Sequence, residues 1–228
     1  MNLVLHNFKK ILMIMTLHIS VFSLVIAGVV YFDKTHSTLT DIEEKVYLSE
    51  KINSIDSTRI SSIERIVQII SKYNPEMEAG LKQDIANEIY LMSQKYTNLN
   101  INFICATITH ESARSWKPQV ISNAGAMGLM QVMPTTGAFL AAEEGISFTS
   151  KEILYDPIIN IRLGCRYLSQ LVAMYEHDGG LAAYNGGPYR AEMWIESNKN
   201  YNILFAETRD YVPAVLELYQ QFRSEQVM

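Results

Sequence analysis

The first strong pattern in this chain is an uncharged apolar run over residues 11–32. At about 1.5 Å of rise per residue its helical length matches a hydrocarbon core of about 30 Å, so the run predicts a single transmembrane helix. Over residues 33–72 the background turns polar, with aliphatics at Leu39, Ile42, Val46, Ile52, Ile55, Ile60, Ile63, Ile66, Val67 and Ile70. That spacing is helical in pieces, the heptad slips between Ile55 and Ile60, and neither Pro nor Gly interrupts it. The segment reads as a helical stalk, with self-association and packing back on the C-terminal domain as its two options. Asn74-Pro75 predicts a cap and first turn for a helix with Leu81, Ile85, Ile89, Met92 and Tyr96 on one face. After a break at 98–100, Ile101, Ile104, Cys105 and Ile108 mark another apolar face. Thr135 predicts the cap of a helix that stops at Gly145. Asp156-Pro157 starts a helix with Ile161, Cys165, Leu168, Leu171, Val172 and Tyr175 inward, which Gly179-Gly180 ends. Tyr211, Val215, Leu218 and Phe222 share one side of the last helix. No segment alternates as a strand does. The expectation is a mainly α chain divided as 1–10, a span at 11–32, a stalk at 33–72 and a folded domain at 73–228.

Orientation comes from charge. Lys9 and Lys10 precede the span, while Asp33, Asp41, Glu43 and Glu44 lie beyond it, so the positive-inside rule puts the N-terminus in the cytoplasm and exports the rest. The rival is a cleaved signal peptide with a loose site at Val25-Ile26-Ala27. The apolar run continues past that site to Phe32, which favours an uncleaved anchor in the inner membrane with the domain in the periplasm. Net charge is -5 over 228 residues, with no basic stripe carrying interleaved aromatics, so nucleic acid is not an expected partner. Cys105 and Cys165 lie on apolar faces and read as buried free thiols. His110-Glu111 lacks the second histidine of a zinc-protease helix, and no other spacing suggests a metal or cofactor.

Glu111 continues the face of Ile104 and Ile108, where partial desolvation favours its protonated form and suits it to general-acid work. On spacing alone a solvated helix-end glutamate is the better reading. Four short motifs reverse that preference: ES at 111–112, GAMGLMQVMP at 125–134, AYNGGP at 183–188 and ETRDYV at 207–212. Each is weak by itself, but in this order they resemble the soluble-lytic-transglycosylase family of peptidoglycan-cleaving enzymes. The resemblance starts near Tyr73 and includes DPIINIRLG at 156–164 with Tyr167-Leu168. One departure is visible: the proline-bearing turn Trp116-Lys117-Pro118 lies two residues farther from Glu111 than the family pattern places it, which lengthens the loop around Arg114.

The resemblance implies a lysozyme-like helical fold and a single-acid mechanism. Glu111 would protonate the glycosidic oxygen between N-acetylmuramic acid and N-acetylglucosamine, then take a proton from the sugar's own 6-hydroxyl, leaving a 1,6-anhydromuramoyl end. By the same resemblance Tyr211 hydrogen-bonds Glu111, Glu207 braces the cleft, Ser122 bonds the N-acetyl group and the Tyr184 hydroxyl reaches the cleft beside Asn185. From residue chemistry, Gln131 offers a donor and an acceptor to sugar groups, and Met130 and Met133 offer soft surfaces, although each is more often core. No aspartate lies between Ser112 and Tyr155, and Glu143-Glu144 sit at the expected C-terminal end of a helix, where solvation is the better explanation, so the second carboxylate of an ordinary glycosidase is hard to find there. Glu207 stays open as a second acid. The alternatives are a hydrolytic muramidase of goose-lysozyme type, and a non-catalytic peptidoglycan-binding tether whose stalk recruits an envelope partner.

Overall fold

The computed structural model describes residues 2–225. Among them the chain is helical apart from turns and two isolated bridges, Ile121 with Met127 and Met127 with Val132. It divides into two units, Met1–Ser57 and Thr58–Met228, and helix α1 (Asn2–Tyr73) contributes residues to both.

Among the described residues one helix, α1, is long and apolar enough to cross a membrane, reaching a mean hydropathy of 2.2 over its best window. Its polar side chains return their hydrogen bonds to the helix itself: Thr16 donates to Met13 O, His18 Nδ1 to Ile14 O, Ser20 to Thr16 O and Ser23 to Ile19 O. Hydrocarbon offers no partner to a polar group, so side chains paired in this way would be tolerated there.

The second unit comprises residues 58–73 of α1, α2 (Ala79–Lys95), α3 (Ile101–Glu111), α4 (Pro134–Glu143), α5 (Pro157–Gly186), α6 (Pro188–Glu196) and α7 (Ala206–Ser224). Short 3-10 turns at Lys151–Tyr155 and Tyr201–Ile203 complete it. The unit begins earlier than the sequence pattern suggested. Ile63, Ile66, Ile69 and Ile70 are buried in the same core as Phe222, and the Arg65 guanidinium donates to the Phe222 carbonyl. Residues 58–72, expected as stalk, therefore form a helix of the folded domain, because their i, i+3, i+7 stripe has α7 to pack on.

Helix α3 is the centre. Asn100 caps it by accepting from Phe103 N at 3.1 Å, and Asn102 through Thr109 are all buried. Its two buried threonines are satisfied within the helix, Thr107 on Phe103 O and Thr109 on Cys105 O. Helix α7 packs on α3, and α5 packs on α2, α4, α6 and α7. A bidentate pair ties α2 to α5, with Arg162 Nε and Nη2 each 3.0 Å from a Glu88 oxygen. Glu88 is only 4% exposed, so losing Arg162 would strand a buried charge. Cys105 and Cys165 are buried free thiols, and burial pushes the Cys105 thiol up to about 12.

Three helix ends differ from expectation. Asn74-Pro75 comes after the end of α1, and Glu78 caps α2 by accepting from Gly80 N. Helix α4 is entered through Met133 and Pro134 rather than capped by Thr135. Gly179-Gly180 do not stop α5. They are buried because a Cβ at Gly180 would lie 2.7 Å from Val172 Cγ2 and one at Gly179 2.8 Å from Tyr175 Cβ, so their smallness serves packing. The break comes earlier, at Glu176, with φ 61 and ψ -172. That backbone region is nearly exclusive to glycine and costs a side-chain-bearing residue of order 1–3 kcal/mol. Glu176→Gly is therefore expected to raise the stability of the domain by about 1 kcal/mol, after allowing for glycine's extra unfolded-state entropy. The midpoint of urea unfolding reads this, and an unchanged or lower midpoint would remove the strain from the account.

Candidate active site

Glu111 is the last residue of α3, and its side chain is partly buried at the point where the chain turns sharply away. The turn is built from residues in left-handed backbone: Ala113 at φ 50, Arg114 at φ 59 and Trp116 at φ 49. Each costs roughly 1 kcal/mol, and the turn is held by what it buries. Trp116 is fully buried, its Nε1 donates to Thr109 Oγ1 at 3.0 Å and its backbone N–H to Ser112 Oγ at 3.1 Å. The long loop noted around Arg114 is thus a wound turn anchored by a tryptophan, and it keeps Glu111 at the rim of the core.

The glycine-rich segment forms a tight loop whose order comes from a residue the motif reading did not single out. Asn160, fully buried on α5, accepts from Met130 N at 2.8 Å and donates to Met127 O at 2.8 Å and Leu154 O at 2.9 Å. Gly128 lies against it at φ +79, and a Cβ there would sit 2.3 Å from Asn160 Nδ2 and 2.4 Å from Leu154 O. The pattern DPIINIRLG carried the signal, since an asparagine on an otherwise apolar helix face needs partners.

Within this loop the expected sugar contacts divide. Gln131, at φ 47, lines the cleft and spends its amide N–H groups on Val120 O and Gly128 O, so its oxygen is the end left to accept. Met130 departs from expectation: its side chain is fully buried, receives the Cys165 thiol at 3.7 Å and packs on Gly164. What Met130 supplies to the site is its carbonyl, to which Tyr184 OH donates at 2.7 Å. Met133, 41% exposed, does line the cleft. Ser122 Oγ accepts from Ala126 N at 3.0 Å, closing a turn while keeping its own proton to donate.

The cleft has a volume of about 290 Å³ and is lined by Gln131, Met133, Thr136, Tyr167, Tyr184, Asn185 and Gly187 among others. It thereby draws together two of the motifs. The fourth arrives through α7, where Tyr211 is 2% exposed and its hydroxyl donates to Glu111 Oε1 at 2.6 Å. Glu207, one turn earlier, is exposed and acts on Glu111 through its charge. A more polar cavity of about 390 Å³, lined by Arg65, Gln68, Lys72 and Glu225, contains none of the motif residues.

Burial pushes the Glu111 carboxyl up to about 7, the Tyr211 hydrogen bond opposes that rise, and the Glu207 charge adds to it. Its place at the negative end of α3 acts in the same upward direction. Burial first and the Glu111 carboxylate second hold both Tyr211 and Tyr184 well above the ordinary phenol range, so both hydroxyls stay protonated donors. His110 was not singled out as a site residue, yet its ring meets the edge of Tyr211 at 4.8 Å and 83°. Burial, then Arg114, lowers its pKa.

A buried acid whose folded pKa lies above its ordinary 4.5 binds its proton more tightly in the folded than in the unfolded state. The stability it lends is present below about 4.5 and is lost as pH rises through about 7. Glu111→Gln removes this titration, so the variant should gain on wild type between about pH 5 and about pH 8. Urea unfolding of both proteins at the two pH values checks it, and a difference that does not change with pH would contradict the buried acid.

Residues 89–204, more than half of the chain, match the transglycosylase SLT domain family. The soluble lytic murein transglycosylase of Escherichia coli K12 is 34% identical over 133 residues, 54% of this chain and 20% of that protein. The membrane-bound lytic murein transglycosylase C of Mannheimia succiniciproducens is 31% identical over 174 residues, 66% of this chain and 44% of that protein. Among solved structures, lytic transglycosylase Slt from Pseudomonas aeruginosa, an inactive mutant, superposes with a TM-score of 0.55 at 31% identity, over 61% of this chain and 24% of that one. The 70 kDa soluble lytic transglycosylase from Escherichia coli gives 0.54 at 26% identity, over 74% and 30%. The chain spans about a fifth of the length of the soluble relatives. With its motifs gathered on one helical scaffold and the family match covering most of that scaffold, the chain belongs to the transglycosylase SLT domain family.

Proposed function

We propose that the chain is a membrane-anchored lytic transglycosylase that cleaves peptidoglycan between N-acetylmuramic acid and N-acetylglucosamine, with Glu111 as its single acid and base. The observation that carries the reading is the 2.6 Å bond from Tyr211 to a Glu111 whose carboxyl is pushed up to about 7. An acid titrating there is protonated often enough to donate and ionised easily enough to accept afterwards. Glu111 gives its proton to the glycosidic oxygen as the bond to C1 breaks. The sugar's acetamido oxygen shelters the developing positive charge at C1. The Glu111 carboxylate then removes the proton of the 6-hydroxyl, whose oxygen closes on C1, and the product is a 1,6-anhydromuramoyl end formed without water. Tyr211, itself held protonated, steadies the carboxylate while it is charged and fixes its free oxygen toward the glycan.

The apolar run at 11–32, flanked by Lys9 and Lys10 before and acids after, supports anchoring in the inner membrane with the SLT domain in the periplasm. The relative named membrane-bound supports attachment to a membrane. In the first unit Leu39, Ile42, Val46, Ile52 and Ile55 are all exposed, which fits a segment that meets a second copy or an envelope partner.

Glu111→Gln keeps the side chain's shape but cannot donate a proton, and it should abolish cleavage of purified sacculi while leaving glycan binding in place. The wild-type products should be muropeptides lighter by one water than hydrolysis products. Reducing ends by mass spectrometry would instead make the protein a muramidase and direct the search for a base to Glu207.

Tyr211→Phe removes a bond that lowers the Glu111 pKa, so the alkaline limb of the pH–rate profile should move upward while turnover falls about tenfold. Wild-type turnover with an unmoved limb would leave Tyr211 as packing only. Full-length protein should fractionate with the inner membrane and keep Met1, and a soluble form starting near Gly28 would refute the anchor.

A further inference from the structure

The ETRDYV segment holds a second hydroxyl that the mechanism above does not use. Thr208 is 1% exposed, and its Oγ1 donates to Asn185 Oδ1 at 2.7 Å. Thr208 lies three residues before Tyr211 on the buried face of α7. Asn185 lies on the last turn of α5 and lines the cleft. The two elements meet closely: a Cβ on Gly186 would be 2.8 Å from Thr208 Oγ1 and 3.1 Å from its Cγ2. Glycine at 186 is therefore what allows the hydroxyl to reach the amide.

An asparagine amide can present either its oxygen or its NH2 to a ligand, and the two ends have opposite hydrogen-bonding sense. A hydroxyl shielded from water must place its proton on a neighbour, and here the neighbour is Asn185 Oδ1. With that oxygen engaged by Thr208, the NH2 group is the end of the amide left for a ligand in the cleft that Asn185 lines. Gln131, which lines the same cleft, is engaged by its other end, with its NH2 consumed by Val120 O and Gly128 O and its oxygen left over. The cleft thus offers one amide donor and one amide acceptor, each set by a bond to the scaffold.

We propose that Thr208 is a positioning residue: by holding Asn185 Oδ1 it fixes the Asn185 NH2 as a donor to a hydroxyl or ring oxygen of a sugar seated in the cleft that Asn185 lines. The same bond ties this donor to the helix that carries Tyr211, so glycan grip and acid placement share one support. The inference rests on the glycan-cleaving reading of the site.

The test uses full-length protein in detergent with purified sacculi, and compares Thr208→Val, Thr208→Ser, Asn185→Asp, Asn185→Ala and the Thr208→Val/Asn185→Ala pair. Thr208→Val keeps the shape but loses the proton, and should lower kcat/KM about tenfold, mainly through KM. Thr208→Ser should stay within about twofold of wild type, since it keeps the donor. Asn185→Asp keeps the acceptor for Thr208 but has no NH2, and should lose as much as Asn185→Ala. Adding Thr208→Val to Asn185→Ala should cost nothing further, and the alkaline limb of the pH profile should not move in any of these variants.

Three results would overturn the proposal: full additivity in the double variant, a Thr208→Ser protein as weak as Thr208→Val, or an Asn185→Asp protein with wild-type KM. If Thr208→Val does not fold by thermal unfolding, the Asn185→Asp and Thr208→Ser measurements decide alone. Wild-type protein that leaves sacculi uncut would instead overturn the functional reading on which the proposal stands.

Discussion

The site depends first on Asn160. A buried amide on an apolar helix is costly unless every donor and acceptor is matched, and Asn160 meets that demand by gripping the backbone of the loop at Met127 and Met130 and the carbonyl of Leu154. The consequences spread outward. Gly128 must be glycine because Asn160 and Leu154 occupy the space of its Cβ. Met130 is pulled inward onto Cys165 and Gly164, which turns its carbonyl to Tyr184. Gln131 is left in a left-handed conformation with its amide folded back on the loop. One satisfied polar group thus converts a flexible glycine-rich stretch into a cleft wall.

Glu111 works against a different constraint. Its helix is buried nearly all round and ends at this residue, so the carboxyl gains the desolvation that raises its pKa while the residue stays partly exposed. Too much burial would hold the proton permanently, and the Tyr211 hydroxyl moderates that by stabilising the charged form. The wound turn from Ala113 to Trp116 is the structural cost of stopping the helix there. Its left-handed residues are tolerated because Trp116 is fully buried and has both its N–H groups paired.

Helix α7 supports both the cleft residue Asn185 and Glu111. Its buried face carries Thr208, which engages Asn185, and Tyr211, which engages Glu111. It also packs on α3 and α5 and, through Phe222, on residues of the α1 segment that belongs to the domain. That segment is more than a connector to the first unit, since it closes the core beneath the helix that aligns the acid.

Local chemistry determined much of this from the sequence alone. The apolar run at 11–32, the break at 98–100, the start at Asp156-Pro157 and the inward faces of α2, α3 and α7 all depend on neighbours within a turn or two, which a sequence displays directly, as it does the order of the four motifs. The tertiary structure decided whatever depends on partners far apart in the chain. Tyr211 meets Glu111 across 100 positions and Asn160 meets Met130 across 30, and no periodicity encodes such encounters. Packing also settled three local ambiguities: Met130 went to the core while Met133 stayed in the cleft, the stripe from Ile63 to Ile70 found a partner and became domain rather than stalk, and Gly179-Gly180 became close-packing positions while the break in α5 fell on Glu176. In each case the residue type permitted two environments, and only the surrounding side chains, by filling or leaving space, selected one.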